Sequence, residues 1–489
     1  MIPSEETPLL SPQPSGFADV EDGIKHTEII LDFGEKDGEN PREWRQGFKW
    51  GVVLLLAFMA FTVTFTCISV VPIAASIAQD LSGTQADSSS TALLVTIWEL
   101  GEAIGPLLIA PLSEIFGRYP TMNVCNILFI FTTFLAATSN STTLFIAARA
   151  LTGVTVASNV LNPAIIGDMF ESEQRGSAMS LVMLAPLIGG AVGPAISGAI
   201  AETLGWREVL FIATGIAIAC ELMFLIFFKE TYKMVILRQR LVKMRKEEGG
   251  HHAHADHEHK NLRKLLYSIT RPAAVLWGSG VLMLLSVFGS VAFSYFYVMS
   301  ISLPEILQNV YGFSPALTGT AFMSFSVGSF LAVLLCNSTL DRIYISLRGS
   351  SSKSKPEHRL PLTIVGAFTL PLCVTAYGWV AQLCLPVPLL LLCVAMLGFT
   401  LMITVIPLSA YVVDAFGLYS ASAMTGIIVT RCLMSTFLPL TTGPLAEHLG
   451  YGWGFTCCGA FSLCLAPVAV LVYKYGHVWR QQCEFTRDE

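Results

Sequence analysis

Charged residues inside apolar stretches are the feature of this chain most able to do chemistry. Glu99 and Glu102 lie three residues apart in one apolar stretch, and Arg149 and Arg431 interrupt two others. Residues three apart share a helix face, so the two carboxylates repel each other, and desolvation opposes the ionisation of both. One of them is therefore expected to hold a proton near neutral pH, which is the chemistry of a proton carrier. A static ion pair that holds helices together is the alternative.

These stretches are long enough to cross a bilayer as helices. About twelve apolar segments of about twenty residues recur between Phe48 and Tyr475. Of the 489 residues, 53% are apolar and only 13% are charged, about half the charge density of a soluble domain. We therefore predict an all-α membrane protein with twelve transmembrane helices. Glu99, Glu102 and Arg431 then lie about 12–16 Å into their helices, where a charge costs at least about 2.5 kcal/mol.

The basic residues predict the orientation. Of the 29 Lys and Arg residues, Arg149 and Arg431 lie in spans and Arg207 lies in a loop on the odd side, which leaves 26 on the other side. Both termini are therefore expected to be cytosolic. The predicted organisation is a disordered tail over 1–47, a six-helix bundle over 48–228, a cytosolic His-rich linker over 229–272, a second six-helix bundle over 273–475 and a cytosolic tail over 476–489.

The two halves resemble each other in sequence. DMFESEQRGSAM begins at Asp168 and DAFGLYSASAM begins at Asp414, while AETLGW and AEHLGYGW begin at Ala201 and Ala446. In both matches the second copy follows the first by nearly the same number of residues, which indicates a duplicated unit. Many transporters place a substrate site at the bilayer midplane between two such units. Chance matching of small residues is the alternative.

Two loops carry acid–arginine pairs at equivalent places in the halves. GPLLIAPLSEIFGRYP has Glu114 at a helix end, Gly117 in a tight turn and Arg118 four residues after the acid, while LDRIY has Asp341 and Arg342. Such a pair can form a charged latch, and a plain turn is the alternative. The first loop resembles the signature of the major facilitator superfamily, in which acid and arginine lock the inner ends of helices. The candidate gating residues are Glu114, Gly117, Arg118, Asp168, Asp341, Arg342 and Asp414.

The fifth segment has a face of small residues. APLIGGAVGPAISG places Gly189, Gly193 and Ser197 at intervals of four, and Pro194 loosens the backbone there. Small residues let another helix approach closely, and packing without functional meaning is the alternative. The pattern resembles the antiporter signature of the superfamily. In the fourth segment, FIAARALTGV carries Arg149, which matches an arginine implicated in that family in proton coupling.

Three further motifs, NPREW, KETY and YGFSP, are similar to a narrower group, the fungal-type twelve-span drug:proton antiporters of that superfamily. The resemblance implies two pseudo-symmetric six-helix bundles, the major facilitator fold. It also implies that segments 2 and 11 face each other, which would bring Glu99 or Glu102 toward Arg431. Inner helices would line a central cavity for a semi-polar organic solute with Asn159, Asn162, Tyr295, Tyr297, Thr400 and Thr404. Hydrogen bonding between helices or interfacial anchoring explains these six residues equally well.

The predicted function is proton-coupled export of a small organic molecule such as a drug, toxin or secondary metabolite. Two alternatives stay open: a proton-coupled importer of a nutrient such as a polyamine or vitamin, and a non-transporting nutrient sensor. No GxxxxGK[ST], GxSxG or HExxH motif indicates an ATP-driven pump or an enzyme. We expect a monomer in the lipid bilayer with a small-molecule substrate and protons as partners. We expect no cofactor and, because the basic residues lie in loops, no nucleic acid.

Neither histidine nor cysteine patterning predicts a metal site. Five histidines lie in the tract 251–259, which lacks a rigid scaffold and is expected to be solvated, and the 12 cysteines form no CxxC pair. The plasma membrane is the favoured location. Glu5 with Leu9 and Leu10 fits an acidic dileucine signal, which makes a vacuolar or endosomal membrane the alternative.

Overall fold

The computed structural model describes residues 33, 37–82, 88–171, 174–247, 269–348, 355–481, 483 and 486. Within these ranges the regular structure is helical, and no strand occurs. The helices are α1 Gln46–Ile68, α2 Ala74–Ser82, α3 Ser88–Phe116, α4 Arg118–Ala137, α5 Thr142–Val154, α6 Ser158–Met169, α7 Arg175–Thr203, α8 Trp206–Phe227, α9 Lys233–Glu247, α10 269–278, α11 Gly280–Asn309, α12 Pro315–Arg348, α13 Pro361–Gln382, α14 Val387–Phe416, α15 Ser420–Phe437 and α16 Thr442–Gln481.

Twelve membrane crossings follow from the apolar helices. Eleven described segments are long and apolar enough to cross a membrane, and the last of them, Ser420–Gln481, has 62 residues. One straight helix of that length would be about three times as long as the hydrocarbon core is thick. It is instead interrupted by a 3₁₀ turn at Leu438–Thr441 and by a kink at Gly450, whose φ is 77°. The segment therefore makes two crossings, and the predicted all-α fold with twelve transmembrane helices is confirmed.

The helices pack as two related halves. In the first half α1 packs on α7 and α8, while α3 packs on α5; in the second half α11 packs on α15 and α16, while α12 packs on α14. The halves meet mainly where α7 packs on α12 and where α3 packs on α15. If the first half is superposed on the second and the second on the first, the contact of α7 with α12 takes the place of the contact of α3 with α15, as expected for a duplicated unit.

An even number of crossings returns the chain to its starting side. The beginning of α1 and the end of α16 therefore lie on one face, here called the tail face, and the opposite face is called the distal face. Helices α3, α12 and α16 begin near the distal face, while α7, α11 and α15 end there.

Glycines allow α7 and α12 to touch near the distal face. A Cβ atom at Gly319 would clash with the backbone oxygen of Pro194, and one at Gly198 would clash with that of Pro315. The small-residue face predicted around Gly189 and Gly193 packs elsewhere, because a Cβ at Gly193 would lie 3.4 Å from the backbone oxygen of Phe65 in α1 of the same half. Helix α7 therefore packs one face of small residues against α1 in its own half and another against α12 in the other half.

Hydrogen bonds near the distal face also join the halves. The Thr96 hydroxyl donates to the backbone oxygen of Thr436 at 3.2 Å, and the Gln308 amide donates to that of Pro72 at 3.3 Å. Between these contacts lies a cavity of about 210 Å³ lined by residues of both halves, with Glu305 among them. The conformation is therefore closed on the distal face.

Part of the segment predicted to be a disordered tail is ordered. Arg240 of α9 pairs with Asp37 at 2.7 Å and with Glu39 at 2.8 Å, and hydrogen bonds from this guanidinium hold the pKa of Asp37 below its usual range. The expectation of disorder is thus wrong for residues 37–45, and the predicted linker begins as helix α9. The His tract at 251–259 lies outside the described residues.

Candidate functional site

A buried carboxylate joins the two halves at mid-membrane. Glu102 of α3 has a side chain only 2% exposed, and its Oε1 lies 3.4 Å from Nη2 of Arg431 in α15. The same oxygen accepts a hydrogen bond of 2.6 Å from the side-chain amide of Asn159 in α6. The expected approach of a span-2 acid to Arg431 is therefore present. Because the pair connects α3 to α15, any separation of these helices must break it.

Glu99 lies one helical turn away and contacts a different helix. Its Oε1 accepts a hydrogen bond of 2.6 Å from the hydroxyl of Tyr297 in α11. Its Oε2 is buried and accepts no well-formed hydrogen bond among the described residues, although the weakly donating thiol of Cys432 interacts with Glu99. Glu99, Glu102 and Tyr297 form a polar layer across the interface, with Tyr297 as the only one of the three from the second half. In this conformation the hydroxyl of Tyr297 contacts Glu99, and its cavity role stays a prediction.

Two partners of Glu102 remain open to the space between the halves. The side chain of Arg431 is 25% exposed, and Asn159 is exposed, although both contact the buried Glu102. Because both residues contact Glu102 between the halves, we infer that their exposed parts line a space between the halves. Since the distal face is closed, this cavity opens toward the tail face. A solute or a proton arriving from the tail face can therefore reach Arg431 and Asn159.

A break in the fourth crossing places Asn159. Helix α5 ends at Val154 and α6 begins at Ser158, and discontinuous helices near the midplane are common at transporter sites. Glycines let this crossing approach α3, because a Cβ at Gly105 would lie 2.7 Å from the backbone oxygen of Val154 and one at Gly153 would clash with that of Trp98. The break was not foreseen from the sequence, since the apolar pattern runs on through it.

Arg149 is buried and forms no ion pair among the described residues. It is 1% exposed, and its guanidinium donates to the backbone oxygens of Cys67 at 2.8 Å and Thr66 at 3.4 Å. The structure turns the Arg149 side chain into the first half, toward the backbone of α1. Its role in proton coupling stays a prediction.

Glu221, a further acid at mid-membrane depth, lies apart from this cluster. It belongs to α8, and its Oε2 accepts a hydrogen bond of 2.7 Å from the side-chain amide of Asn126 in α4. Both residues belong to the first half, so movement of one half against the other does not separate them. Glu221 therefore offers a natural comparison for Glu102.

Four of the six predicted cavity residues are buried and hydrogen-bonded to backbone oxygens in this conformation. Tyr295 donates to the backbone oxygen of Cys458 at 2.6 Å, and Asn162 donates to that of Leu56 at 3.3 Å. Thr400 and Thr404 donate to carbonyls of their own helix at 2.8 and 2.7 Å. All four are buried. The three hydroxyl groups and the Asn162 amide nitrogen are thus bonded to backbone oxygens of the packed helices, whereas Oδ1 of Asn162 has no partner among the described residues.

The loop arginines on the tail face bind partners other than the predicted ones. Arg118 pairs with Asp168 at 3.2 Å, whereas Glu114 is exposed. The prediction that Glu114 is the acidic partner of Arg118 is therefore wrong. The ion pair that forms joins the start of α4 to the end of α6.

The second half repeats this arrangement. Arg359 pairs with Asp414 and with Asp341, the latter at 3.2 Å. Arg342 is exposed in this conformation, so its gating role stays a prediction, and Arg359 takes the place that corresponds to Arg118. The repeat of Asp168 and Asp414 in sequence is thus matched by their equivalent pairing with an arginine.

One residue of this latch was missed by sequence reasoning. Glu230, in the KETY motif, accepts hydrogen bonds from the backbone N–H groups of Arg118 at 2.9 Å and Tyr119 at 3.1 Å. A carboxylate at the start of α4 compensates the unpaired N–H groups of the first helical turn. Gly117 has a φ of 107°, a backbone conformation that residues with a side chain rarely adopt, which explains the glycine. The resemblance of the KETY motif to the narrower group of antiporters was the available signal.

The comparisons with known proteins agree with this architecture. The Major Facilitator Superfamily model matches residues 53–439. An MFS transporter of Aspergillus oryzae, cpaT, is 30% identical over 98% of each chain. The efflux pump radE of Floropilus chiversii is 31% identical over 93% of this chain and 86% of its own. The crystal structure of a D-xylose–proton symporter has a TM-score of 0.66 at 15% identity, and the match covers 86% of this chain and 97% of the other.

Proposed function

Because this chain belongs to the major facilitator superfamily, whose members are membrane transporters and not enzymes, we propose that it exports a small organic molecule in exchange for protons. The observation that carries this proposal is the contact of Glu102 with Arg431 across the interface between halves. A buried carboxylate that can be neutralised either by a guanidinium or by a proton couples protonation to the separation of helices.

The proposed cycle uses the two partners of Glu102 in turn. In the distal-closed state Glu102 pairs with Arg431 and accepts from Asn159. When α3 and α15 separate, the carboxylate would lose its cationic partner and would be left uncompensated at mid-membrane, so it takes a proton instead. Protonation thereby favours the distal-open state, from which substrate leaves. Return to the distal-closed state expels the proton on the tail side.

The cavity is suited to a semi-polar organic molecule. Asn159 supplies an amide, Arg431 supplies hydrogen-bond donors, and Phe293, whose ring lies 4.5 Å from the Arg431 guanidinium, supplies an aromatic face. Few polar groups against an apolar wall are typical of sites for organic ligands. The name of the relative radE as an efflux pump supports export. An importer of a nutrient is the remaining alternative, because the same residues serve either direction.

The experiment for this proposal is a comparison of metabolites in cells and medium, with and without the protein. Export predicts that some compound is lost from the medium and retained in the cells when the protein is removed. That compound is then supplied to inside-out vesicles with an imposed pH gradient, where uptake should require an acidic interior. Accumulation of a compound in the medium on removal of the protein would instead establish import.

The orientation is a separate proposal with its own test. Because 26 of 29 basic residues lie on the tail side by the predicted spans, we expect that side to face the cytosol of a plasma membrane. On a background without the 12 native cysteines, His254→Cys in the linker should be protected from a membrane-impermeant thiol reagent on intact cells. Asn140→Cys, exposed between α4 and α5, should be labelled. The reverse pattern would invert the assignment.

A further inference from the structure

We propose that Glu99, Glu102 and Cys432 form a site for a soft divalent cation, such as Zn²⁺ or Cd²⁺, that clamps α3 to α15. One ligand atom from each residue, a carboxylate oxygen or the sulfur, lies within 4.8 Å of the other two. All three residues are buried. Two acids of the first half thus converge on a thiol of the second half, which is an arrangement that no packing requirement demands.

An unpaired oxygen points to a ligand at this place. Oε2 of Glu99 is buried and accepts no well-formed hydrogen bond among the described residues, and the thiol of Cys432, which interacts with Glu99, is only a weak donor. A buried carboxylate oxygen left unpaired costs free energy that a cation would recover. The other oxygen of Glu99 already accepts from Tyr297, so Oε2 is the atom available for coordination.

The donor set selects the kind of cation. A thiolate with two carboxylate oxygens suits Zn²⁺ or Cd²⁺ better than Mg²⁺ or Ca²⁺, which prefer oxygen alone. Tetrahedral bonds of about 2.0–2.3 Å place ligand atoms about 3.3–3.8 Å apart, so the three atoms must close by about 1 Å. On binding, the S–H bond of Cys432 breaks, a metal–sulfur bond forms and the proton passes to water.

Arg431 is the group that opposes such a cation. It lies 3.4 Å from Glu102, and its guanidinium also stacks over Phe293 at 4.5 Å. Because its side chain is 25% exposed, the guanidinium has room to leave Glu102 for the cavity while it keeps contact with the ring. A cation would therefore replace Arg431 at Glu102, as the proton does in the proposed cycle. Unlike a proton, it would hold both halves at once.

The consequence is inhibition in the distal-closed state. Alternating access requires α3 and α15 to separate, and a cation bound to ligands on both helices resists that separation. The inhibitory effect rests on the proposed transport function, but the binding itself does not. Binding and inhibition are therefore measured separately, so that failure of one proposal can be told from failure of the other.

Cadmium chloride added to the purified protein is the binding test. Exposed Cys384, Cys457 and Cys464 are first replaced by serine, because exposed thiols bind Cd²⁺ without a site. Cd²⁺ should then produce the ultraviolet charge-transfer band of a Cd–thiolate bond at one equivalent and should raise the unfolding temperature. Cys432→Ser and Cys432→Ala should each weaken binding about tenfold or more, as expected when a soft-metal site loses its thiolate.

Cys67→Ser is the matched control. Cys67 is buried in α1 of the first half, and its backbone oxygen accepts from Arg149, but its sulfur is outside the ligand set. Its substitution should leave the Cd²⁺ band and the thermal shift unchanged. Equal Cd²⁺ binding by the Cys432 variants and the parent protein, or loss of binding in Cys67→Ser, would overturn the site.

Inhibition is read from substrate flux in vesicles. Cd²⁺ should stop flux in the parent protein, a chelator should restore it, and Cys432→Ser should be resistant while its flux without metal stays intact. Binding without inhibition would overturn the clamp. A transporter that is inhibited by Cd²⁺ but shows no dependence on protons would contradict the proposed proton coupling and leave the metal site standing.

Discussion

Glu102→Gln is expected to abolish proton-driven transport or to uncouple it from the pH gradient. A glutamine can accept from Asn159 but cannot exchange a proton or form an ion pair with Arg431 at 3.4 Å. Hydrogen bonds to charged groups contribute about 1.5–3 kcal/mol, so a loss of about tenfold or more in gradient-driven flux is expected. Flux in vesicles with and without an imposed pH gradient measures it, with expression in the membrane checked in parallel.

Glu221→Gln is the matched control for this change. It removes an equally deep carboxyl group, but Glu221 bonds Asn126 inside one half and is not separated by the movement of the halves. A glutamine can also accept from the Asn126 amide. Transport and its pH dependence should therefore stay near those of the parent protein. Equal losses in the two variants would show that burial of a carboxyl group, and not its position between halves, is what transport requires.

The partner of Glu102 is tested by a double-substitution cycle. Arg431→Ala should move the pH profile of transport to higher pH, because a proton no longer competes with the guanidinium for the carboxylate. The exchange Glu102→Arg with Arg431→Glu should recover part of what either change alone loses, since contacting residues are not additive. Strictly additive losses, together with an unchanged pH profile in Arg431→Ala, would remove the pair from the mechanism.

Gly319→Val is expected to shift the protein toward the distal-open state. A side chain at Gly319 would clash with the backbone oxygen of Pro194, so α12 and α7 could not close against each other. Overpacking of this kind costs about 1–3 kcal/mol, which corresponds to a change of about 5- to 150-fold in the balance between states. The reporter is Thr436→Cys, a buried position that contacts Thr96 in the closed interface. Its labelling by an impermeant thiol reagent should rise.

Two glycine variants separate this effect from general damage. Gly215→Val introduces the same side chain into α8, where nothing lies within 4 Å of the new Cβ, and should leave the labelling of Thr436→Cys unchanged. The larger side chain of Gly193→Leu presses on α1 within the first half. It should therefore lower the stability of the protein more than it changes the labelling of Thr436→Cys. Normal labelling and normal transport in Gly319→Val would show that closure of α7 on α12 is not part of the cycle.

Hydropathy and charge along the chain were sufficient for much of the architecture. Twelve crossings and the depth of Glu99, Glu102 and Arg431 follow from apolar runs and from their lengths, and the duplicated halves follow from two repeated motifs. The contact of Glu102 with Arg431, which joins residues 329 positions apart, came from a family resemblance and not from spacing. The physical reason is that insertion into a bilayer depends on each segment separately, and composition reports that directly.

Only the tertiary structure decided which polar groups meet. Thr400 and Thr404 had the residue types of a cavity wall, yet the rotation of α14 buries them, because a small hydroxyl can be satisfied by its own helix. Arg118 had an acid four residues away, yet it binds Asp168 from another helix, since packing sets that distance and sequence spacing does not. Cys432 joined Glu99 and Glu102 for the same reason: hydropathy sets the depth of a residue in the membrane, and only the packing of helices sets its neighbours.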